Sequence, residues 1–260
     1  MNSFIRRAML SGLCAGLLLC LCACSADYSR AYERALSTFA SGEYADAAEA
    51  FDRLGDYANA AAYAAYSHGL VFYEQGQYAE AEPCFAQSRD LLYGEERYQY
   101  CHAHALADEG RFAEAAEAFA AIGEFEDAPM RCQYCLGRAA EEEARYEDAM
   151  FAYENALTID DAEDRLYNLR GQIYNRAIEL KNAGDYQNAI DLFNLLGDYL
   201  SSADQAVECK IYLKDAQYDE ADRLEQSGDA QGAYDLFSSL SGYRDAAQRA
   251  QDLASQLGIE

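Results

Sequence analysis

The feature that most constrains the fold of this chain is an internal repeat with a period of 34 residues or slightly more. One turn position recurs six times, at Gly42, Gly76, Gly110, Ala144, Gly184 and Gly228. Successive copies lie 34, 34, 34, 40 and 44 residues apart. Self-similarity at such periods is typical of solenoids, in which each unit buries its apolar face against its neighbours. The sequence therefore predicts a stack of similar units.

Each copy carries the same set of residues around this turn position. A small residue stands seven positions before it, at Ala35, Gly69, Ala103, Gly137, Ala177 and Ala221. Alanine stands five positions after it, at Ala47, Ala81, Ala115, Ala149, Ala189 and Ala233, and a large ring follows at Phe51, Phe85, Phe119, Tyr153, Phe193 and Phe237. Small residues let helices approach closely, and residues four apart share a helix face. Each copy is therefore expected to be one helical hairpin, with six hairpins over residues 28–254 and a tail at 255–260.

This pattern resembles the tetratricopeptide repeat, in which a small residue precedes G-x-[YF]-x2-A-x3-[FY]. The phrases LGDYANA at 54–60, IGEFEDA at 122–128 and LGDYLSSA at 196–203 resemble the exit turn found in tetratricopeptide-like proteins of gut Firmicutes. The chain has no tryptophan, whereas the family consensus carries one in its first helix. The resemblance implies an all-α fold, a right-handed helical-hairpin solenoid of about six repeats, in which the phrase ends each second helix.

Three local features modify this expectation. The longer spacings around the fifth copy predict either longer linkers or extended helices near residues 200–215. Pro83 falls inside an expected second helix and predicts a late helix start or a kink, because proline lacks an N–H and clashes with the preceding turn. Pro129 is expected in the first turn of a first helix, where the missing N–H costs nothing.

The N-terminus has the layout of a secretory signal. Arg6 and Arg7 precede an apolar run over residues 8–23. This run is short for a membrane span, since roughly 20 apolar residues are needed to cross the hydrocarbon core. We interpret residues 1–23 as a signal peptide that does not belong to the fold.

The end of this segment indicates lipidation. The sequence LCAC at 21–24 resembles a bacterial lipobox, although Cys22 departs from the usual residue at its position. The resemblance implies that Cys24 takes the lipid and that residues 24–27 form the anchor and a short tether. The protein would then lie on the extracytoplasmic face of a bacterial cell membrane. An ordinary cleaved signal and an uncleaved anchor are the alternatives.

The charge balance excludes several classes of partner. The chain has 20 basic and 46 acidic residues, a formal charge of −26, and loss of residues 1–23 would leave 18 − 46 = −28. Such a charge disfavours nucleic acid and polybasic binding to anionic lipid, because both depend on Lys and Arg. The chain also lacks nucleophile-elbow, zinc-protease, Walker and dinucleotide motifs. We therefore expect no enzyme, no cofactor and no metal.

The resemblance also places four side chains in the concave groove of the solenoid. The set consists of Arg97, His104, Arg131 and Arg138. In so acidic a chain these residues would form a cationic stripe, and arginine is well suited to bidentate capture of a carboxylate or phosphate. The alternative is that they pair with acids of the chain itself, namely Asp108, Glu141 and Glu142.

A tyrosine recurs three residues before each small position. This tyrosine ladder consists of Tyr32, Tyr66, Tyr100, Tyr134, Tyr174 and Tyr218. A residue present in every unit is expected to meet a need that every unit shares, here packing and a hydrogen-bonded hydroxyl. The alternative is a stacking platform for a ligand, for which Tyr100 and Tyr134 beside the cationic stripe are the candidates.

Five cysteines follow the proposed lipidation site, and two of them form the motif CQYC. They are Cys84, Cys101, Cys132, Cys135 and Cys209. Cys101 and Cys135 occupy equivalent positions in neighbouring repeats, which stacked helices separate by about 10 Å. A disulfide requires Cα atoms within about 7 Å, which argues against this pairing. We favour buried structural thiols, with a disulfide or a metal site as alternatives.

These features predict a non-catalytic lipoprotein of the cell envelope that acts as a protein–protein interaction adaptor. Its groove would hold a peptide segment or a partner helix, and the membrane would be contacted through the lipid on Cys24. One alternative is an envelope-assembly lipoprotein similar to the outer-membrane barrel-assembly type. Another is a binding module for a small ligand or glycan that stacks on the tyrosine ladder.

Overall fold

A computed structural model of the protein describes residues 27–159 and 161–259. The described residues form helices joined by turns, and no strand occurs among them. The first part comprises α1 (27–40), α2 (Tyr44–Asp52), α3 (Ala60–Glu74), α4 (Tyr78–Ala86), α5 (Gly94–Asp108), α6 (Phe112–Ala121) and α7 (Ala128–Glu142). The second comprises α8 (Tyr146–Glu154), α9 (Ala162–Asn182), α10 (Tyr186–Leu196), α11 (Ser202–Ser227), α12 (Ala230–Ser239) and α13 (Ala246–Leu257). The interpretations of residues 1–26, including lipidation of Cys24, lie outside the described residues.

Successive helices pack against each other as hairpins. The pairs α1/α2, α3/α4, α5/α6, α9/α10 and α11/α12 pack in this way and correspond to five of the six repeats, and α13 packs on α12. The residues of the fourth repeat lie on α7 and α8. The predicted all-α architecture of helical hairpins is thus confirmed. The chain forms two compact units, Met1–Ala139 and Ala140–Glu260. The helical part continues to Leu257, beyond the predicted boundary at residue 254.

The repeated apolar residues form the core of each hairpin. The alanine and ring columns are almost fully buried in all six copies, and no ring in its column exceeds 1 % exposure. Gly69 shows why a small residue faces the ring, because an added Cβ would lie 2.9 Å from Phe85 Cε1. Close approach of the two helices therefore depends on the small position, as the sequence pattern predicted.

Left-handed backbone conformations occur at two kinds of turn in the repeats. The turn between the helices of a hairpin places Gly42, Gly76, Gly110, Gly184 and Gly228 at φ between 71° and 88°, and Ala144 adopts φ 55° at the same place. Glycine is favoured there because it has no Cβ to clash in this conformation. The exit turn to the next hairpin contains a second left-handed residue, which is Ala58, Leu92, Glu126, Leu200 or Arg244. The phrase LGDYANA therefore encodes a backbone turn that each hairpin repeats.

The longer spacings are taken up by helices and not by linkers. Helices α3, α5 and α7 each have 15 residues, whereas α9 has 21 and α11 has 26. The first half of α11 packs with α9 and α10 through Ala206 and Cys209, and its second half packs with α12 and α13 through Ala221. One continuous helix thus serves two successive hairpins.

The two prolines behave differently from each other. Pro129 is the second residue of α7, as predicted. Pro83 lies inside α4, but the predicted late start of that helix is wrong, because α4 begins at Tyr78, two residues after its turn glycine, as α2 does. The turn at Gly76 and the burial of Ala81 and Phe85 fix where α4 begins.

Candidate functional site

Three tyrosines of the ladder bond to the first residues of the following hairpin. Tyr100 Oη donates a 2.5 Å hydrogen bond to Oδ1 of Asp127, the residue that immediately precedes α7. Tyr218 bonds in the same way to Asp245, and Tyr174 Oη lies 2.8 Å from Oγ of Ser201. In each case the partner stands 27 residues after the tyrosine. The six residues at this offset are Asn59, Tyr93, Asp127, Asp161, Ser201 and Asp245.

An arginine completes this arrangement in some junctions. Arg131 Nε donates to Asp127 Oδ1 at 2.8 Å and to Tyr100 Oη at 3.0 Å. In the second unit, Arg249 Nη1 donates to Tyr218 Oη at 3.2 Å. We call the tyrosine, the residue 27 positions later and the residue 31 positions later a clasp. The residues at the last offset are Tyr63, Arg97, Arg131, Arg165, Gln205 and Arg249.

The protonation states in the α5–α7 clasp follow from its contacts. Burial, followed by the neighbouring Asp127 carboxylate, raises the pKa of Tyr100 well above its usual value, so that the hydroxyl remains a donor. Burial acts to raise the pKa of Asp127, but hydrogen bonds from Tyr100 and Arg131 outweigh it and hold that pKa below its usual value. Asp127 is therefore an ionised acceptor at neutral pH.

The ladder rings also pack inside their own hairpins. Tyr66 meets Phe85 edge-on at a centroid distance of 5.5 Å, and Tyr100 meets Phe119 at 5.7 Å. Tyr66 and Tyr100 are each only 2 % exposed, so their faces are not open to a stacked sugar. Tyr134 is also buried, and its Oη lies 3.5 Å from Arg138 Nη1. These contacts give the ladder the packing and hydroxyl-bonding role that the sequence favoured.

His104 does not contribute a positive charge to the predicted stripe. Its side chain stacks on Tyr78 at a centroid distance of 3.8 Å and leaves only 8 % of the residue exposed. Burial, reinforced by the positive charge of Arg131, lowers the pKa of His104 to about 3. The imidazole is therefore neutral at pH 7, and the cationic part of the stripe consists of three arginines.

Arg97 and Arg138 differ from Arg131 because neither makes an ion pair within the described part of the first unit. Arg138 Cζ lies 3.9 Å from the centroid of the Phe112 ring. The pairing with Asp108, Glu141 or Glu142 that the sequence left open is not formed. The third arginine, Arg131, pairs with Asp127.

The surroundings of Arg97 are aromatic. Its Cζ lies 5.7 Å from the ring centroids of Tyr66 and Tyr93 and 5.8 Å from that of Tyr73. Nη1 donates to Tyr66 Oη at 2.7 Å, whereas Nε is buried and has no hydrogen-bond partner in the described structure. Tyr93 occupies the clasp position at which the next junction has Asp127. The α3–α5 clasp therefore contains a tyrosine and an arginine but no acid.

The cysteines of the described residues are all free thiols. Burial, followed by the charge of Glu82, raises the pKa of Cys101 to about 12, so that this thiol is protonated. Burial also raises the pKa of Cys132. No group of three or more potential metal-binding side chains occurs in residues 27–159 and 161–259. Cys101, Cys135 and Cys209 are buried, whereas Cys84 and Cys132 are half-buried.

A family model of the tetratricopeptide repeat matches residues 65–88, which run from within α3 to just beyond α4. The match covers the second hairpin and supports tetratricopeptide-like repeats in this chain. Such repeats are generally non-catalytic and typically mediate protein–protein interaction. No curated protein matches the chain. Among the helices that the structure describes, none combines the length and the apolar character required to cross a bilayer.

The sequence identified Arg97, Arg131 and Arg138 as candidate site residues. It did not reveal the clasp, in which Arg131 pairs with an acid and Arg97 does not. The signal was available, because the columns 27 and 31 residues after each ladder tyrosine are rich in Asp and Arg. An alignment of the repeats on these two columns would have shown Tyr93 as the exception among small polar and acidic residues.

Proposed function

We propose that the protein is a non-catalytic adaptor that binds a protein or peptide partner through the face carrying Arg97 and Arg138. A lipid on Cys24 would hold it at the extracytoplasmic face of a bacterial cell membrane. The observation that carries this proposal is the presence of two half-buried arginines without an acidic partner in a chain with 46 acidic and 20 basic residues.

The other half-buried cations of the described residues are paired with acids of their own unit. They are Arg131, Arg165, Arg170, Lys181 and Arg249. A partly desolvated guanidinium is stabilised by an acid that accepts its hydrogen bonds, and an unpaired one forgoes this energy. Acidic side chains are abundant on this chain, so unpaired arginines at Arg97 and Arg138 favour an acid supplied by a partner.

Affinity capture tests this proposal. The full chain, tagged at its C-terminus and extracted from membranes in mild detergent, serves as bait beside an Arg97→Gln, Arg138→Gln variant. A matched control, Arg53→Gln with Arg176→Gln, removes the same charge from two exposed arginines. We expect a partner that the wild type and the control retain and the first variant loses. Equal capture by all three proteins of unchanged helicity would contradict the proposal.

The membrane attachment has its own test. The Arg6–Arg7 pair, the apolar run and the LCAC sequence support lipidation of Cys24. We expect the wild type expressed in a bacterium to incorporate radiolabelled palmitate and to sediment with membranes. A Cys24→Ala variant should show neither property. Labelling of that variant would assign the lipid to another residue.

A further inference from the structure

Where the junction between α5 and α7 has Asp127, the junction between α3 and α5 has Tyr93 and so lacks an acid at this position. We propose that this acid is supplied in trans: a ligand carboxylate binds Arg97 Nε and Tyr66 Oη, in the way that Asp127 binds Arg131 Nε and Tyr100 Oη. The inference rests on the proposed function, because it specifies the chemical group that the partner presents and the atoms that receive it.

The complete clasp shows the geometry that such a carboxylate would meet. Oδ1 of Asp127 accepts from Arg131 Nε at 2.8 Å and from Tyr100 Oη at 2.5 Å. Arg97 and Tyr66 stand in the same sequence relation to each other as Arg131 and Tyr100, 31 residues apart. Both donor groups are therefore present in the α3–α5 junction, although Arg97 bonds to Tyr66 Oη through Nη1, whereas Arg131 bonds to Tyr100 Oη through Nε.

The polar atoms of the α3–α5 junction are consistent with this assignment. Arg97 Nε, the counterpart of the atom that donates to Asp127, is buried without a partner. Tyr66 Oη accepts a hydrogen bond from Arg97 Nη1. Among the described residues, no acidic side chain accepts the proton of the Tyr66 hydroxyl. Buried donors in folded proteins are nearly always paired, and an unpaired one costs about 1–3 kcal/mol. A single carboxylate oxygen would satisfy both donors, as Oδ1 of Asp127 does.

The choice of a carboxylate over other anions comes from the chain itself. Arginines also stand 31 positions after other tyrosines of the ladder. Arg131 pairs with the carboxylate of Asp127, and Arg165 pairs with that of Asp161. The surrounding rings of Tyr66, Tyr73 and Tyr93 lie close enough to the Arg97 guanidinium to add cation–π attraction.

The ligand approaches from the side of the exit turn. Tyr93 is 60 % exposed and is the most exposed of the three rings around Arg97, and the neighbouring Leu92 is 69 % exposed. In this proposal the Tyr93 side chain turns aside and admits the acid to Arg97 Nε. The two exposed side chains then offer an apolar surface beside the charge. The ligand is accordingly a carboxylate flanked by an apolar or aromatic side chain.

Short peptides of known sequence test the inference on the purified full-length chain. The probes are acetyl-Ala-Phe-Glu-Phe-Ala-amide, the same peptide with Gln in place of Glu, and acetyl-Ala-Ala-Phe with a free carboxyl terminus. The readout is the NMR signal of the Arg97 Nε–H group, identified by its loss in Arg97→Lys. We expect the Glu peptide or the free-carboxylate peptide to shift this signal, and the arm that does so identifies the source of the acid. A shift by the Gln peptide of equal size, or no shift by any peptide, would overturn the inference.

A second pair of variants separates ligand binding from folding. Tyr93→Asp places an internal acid beside Arg97 with the spacing of Asp127 to Arg131, and should keep or raise the melting temperature while weakening peptide binding at least tenfold. Tyr93→Ala removes the same ring without adding the acid, so it should lose only the ring's share of the affinity and bind clearly more tightly than Tyr93→Asp. Wild-type affinity in Tyr93→Asp would refute the inference. If no peptide shifts the Arg97 signal but capture of a protein still depends on Arg138, the proposed function remains supported. Only the assignment of the carboxylate to Arg97 is then wrong.

Discussion

The α5–α7 junction and the α3–α5 junction share a buried tyrosine and an arginine at the same repeat positions. In the α5–α7 junction, Asp127 accepts hydrogen bonds from both Tyr100 and Arg131. Tyr93 leaves the second with an arginine that has rings around it but no acid. A change at one position of the repeat can thus turn a contact that stabilises the fold into one that is able to bind a ligand.

The same contrast appears for the arginines taken as a set. Arg131 and Arg97 hold equivalent positions in neighbouring repeats, and sequence alone assigns them the same role. In the structure, Arg131 holds two hairpins together, whereas Arg97 has hydrogen-bonding capacity left over. Equivalence in a repeat therefore does not imply equivalence in function.

Removal of the clasp acid gives the largest expected effect. Asp127→Ala leaves Arg131 half-buried without its partner and takes an acceptor from Tyr100, which should lower the free energy of unfolding by about 3 kcal/mol. Tyr93→Ala, at the equivalent position, removes an exposed ring and should cost less than about 0.5 kcal/mol. Urea denaturation followed by circular dichroism measures both. Similar costs for the two variants would show that the clasp carries no special stability.

The exit turns of the two junctions provide the next comparison. Gly94 stands where the next junction has Ala128, and a Cβ added at Gly94 would lie 2.3 Å from the carbonyl oxygen of Ser88. Gly94→Ala should therefore destabilise the protein by about 2 kcal/mol, the usual cost of overpacking. Ala128→Gly should cost only about 0.5–1 kcal/mol, through the added freedom of the unfolded chain. If Gly94→Ala is as stable as the wild type, the tighter turn at 88–94 must be able to relax.

The hairpins themselves follow from residues that the sequence displays directly. The columns of small residues, alanines and rings determine which faces meet, because Gly69 and Phe85 can approach only if one of them has no side chain. The extended helices α9 and α11 follow from the 40- and 44-residue spacings once linkers are excluded. The early start of α4 did not follow, because the turn at Gly76 outweighs the local cost of Pro83.

The candidate site was harder to derive from the sequence. Arg97, Arg131 and Arg138 stand out in an acidic chain, but their pairing depends on which residues of the next hairpin come into register, 27 and 31 positions away. The neutrality of His104 depends on the ring of Tyr78, which stacks on it from the preceding second helix. Neither relation is visible from composition or from helical periodicity, since both arise where helices cross.

The pH dependence of stability gives a smaller effect that sharpens the comparison. The folded-state pKa of Asp127 lies below its ordinary value, so its contribution is fully present above the unfolded-state value near 3.9. That contribution is lost as the pH falls from about 4 through the lower folded-state value. The stability difference between the wild type and Asp127→Asn should therefore shrink as the pH is lowered from neutral through the acid range. If this stability difference stays constant over the range, the stability of the clasp does not come from the ionised carboxylate of Asp127.

The smallest expected effect comes from closing the incomplete clasp. Tyr93→Asp places a carboxylate four residues before Arg97 and at the N-terminus of α5, which should raise the free energy of unfolding by about 0.5–1 kcal/mol. Tyr93→Asn is the matched control, because it has nearly the same shape but no charge and occurs naturally at the equivalent Asn59. The part of the gain of Asp over Asn that comes from the ion pair should be lost when Arg97 is replaced by Gln, in a double-mutant cycle that isolates the pair. If the whole gain persists without Arg97, the carboxylate introduced at position 93 stabilises only the N-terminus of α5. Adding an acid would then not complete a clasp in the α3–α5 junction.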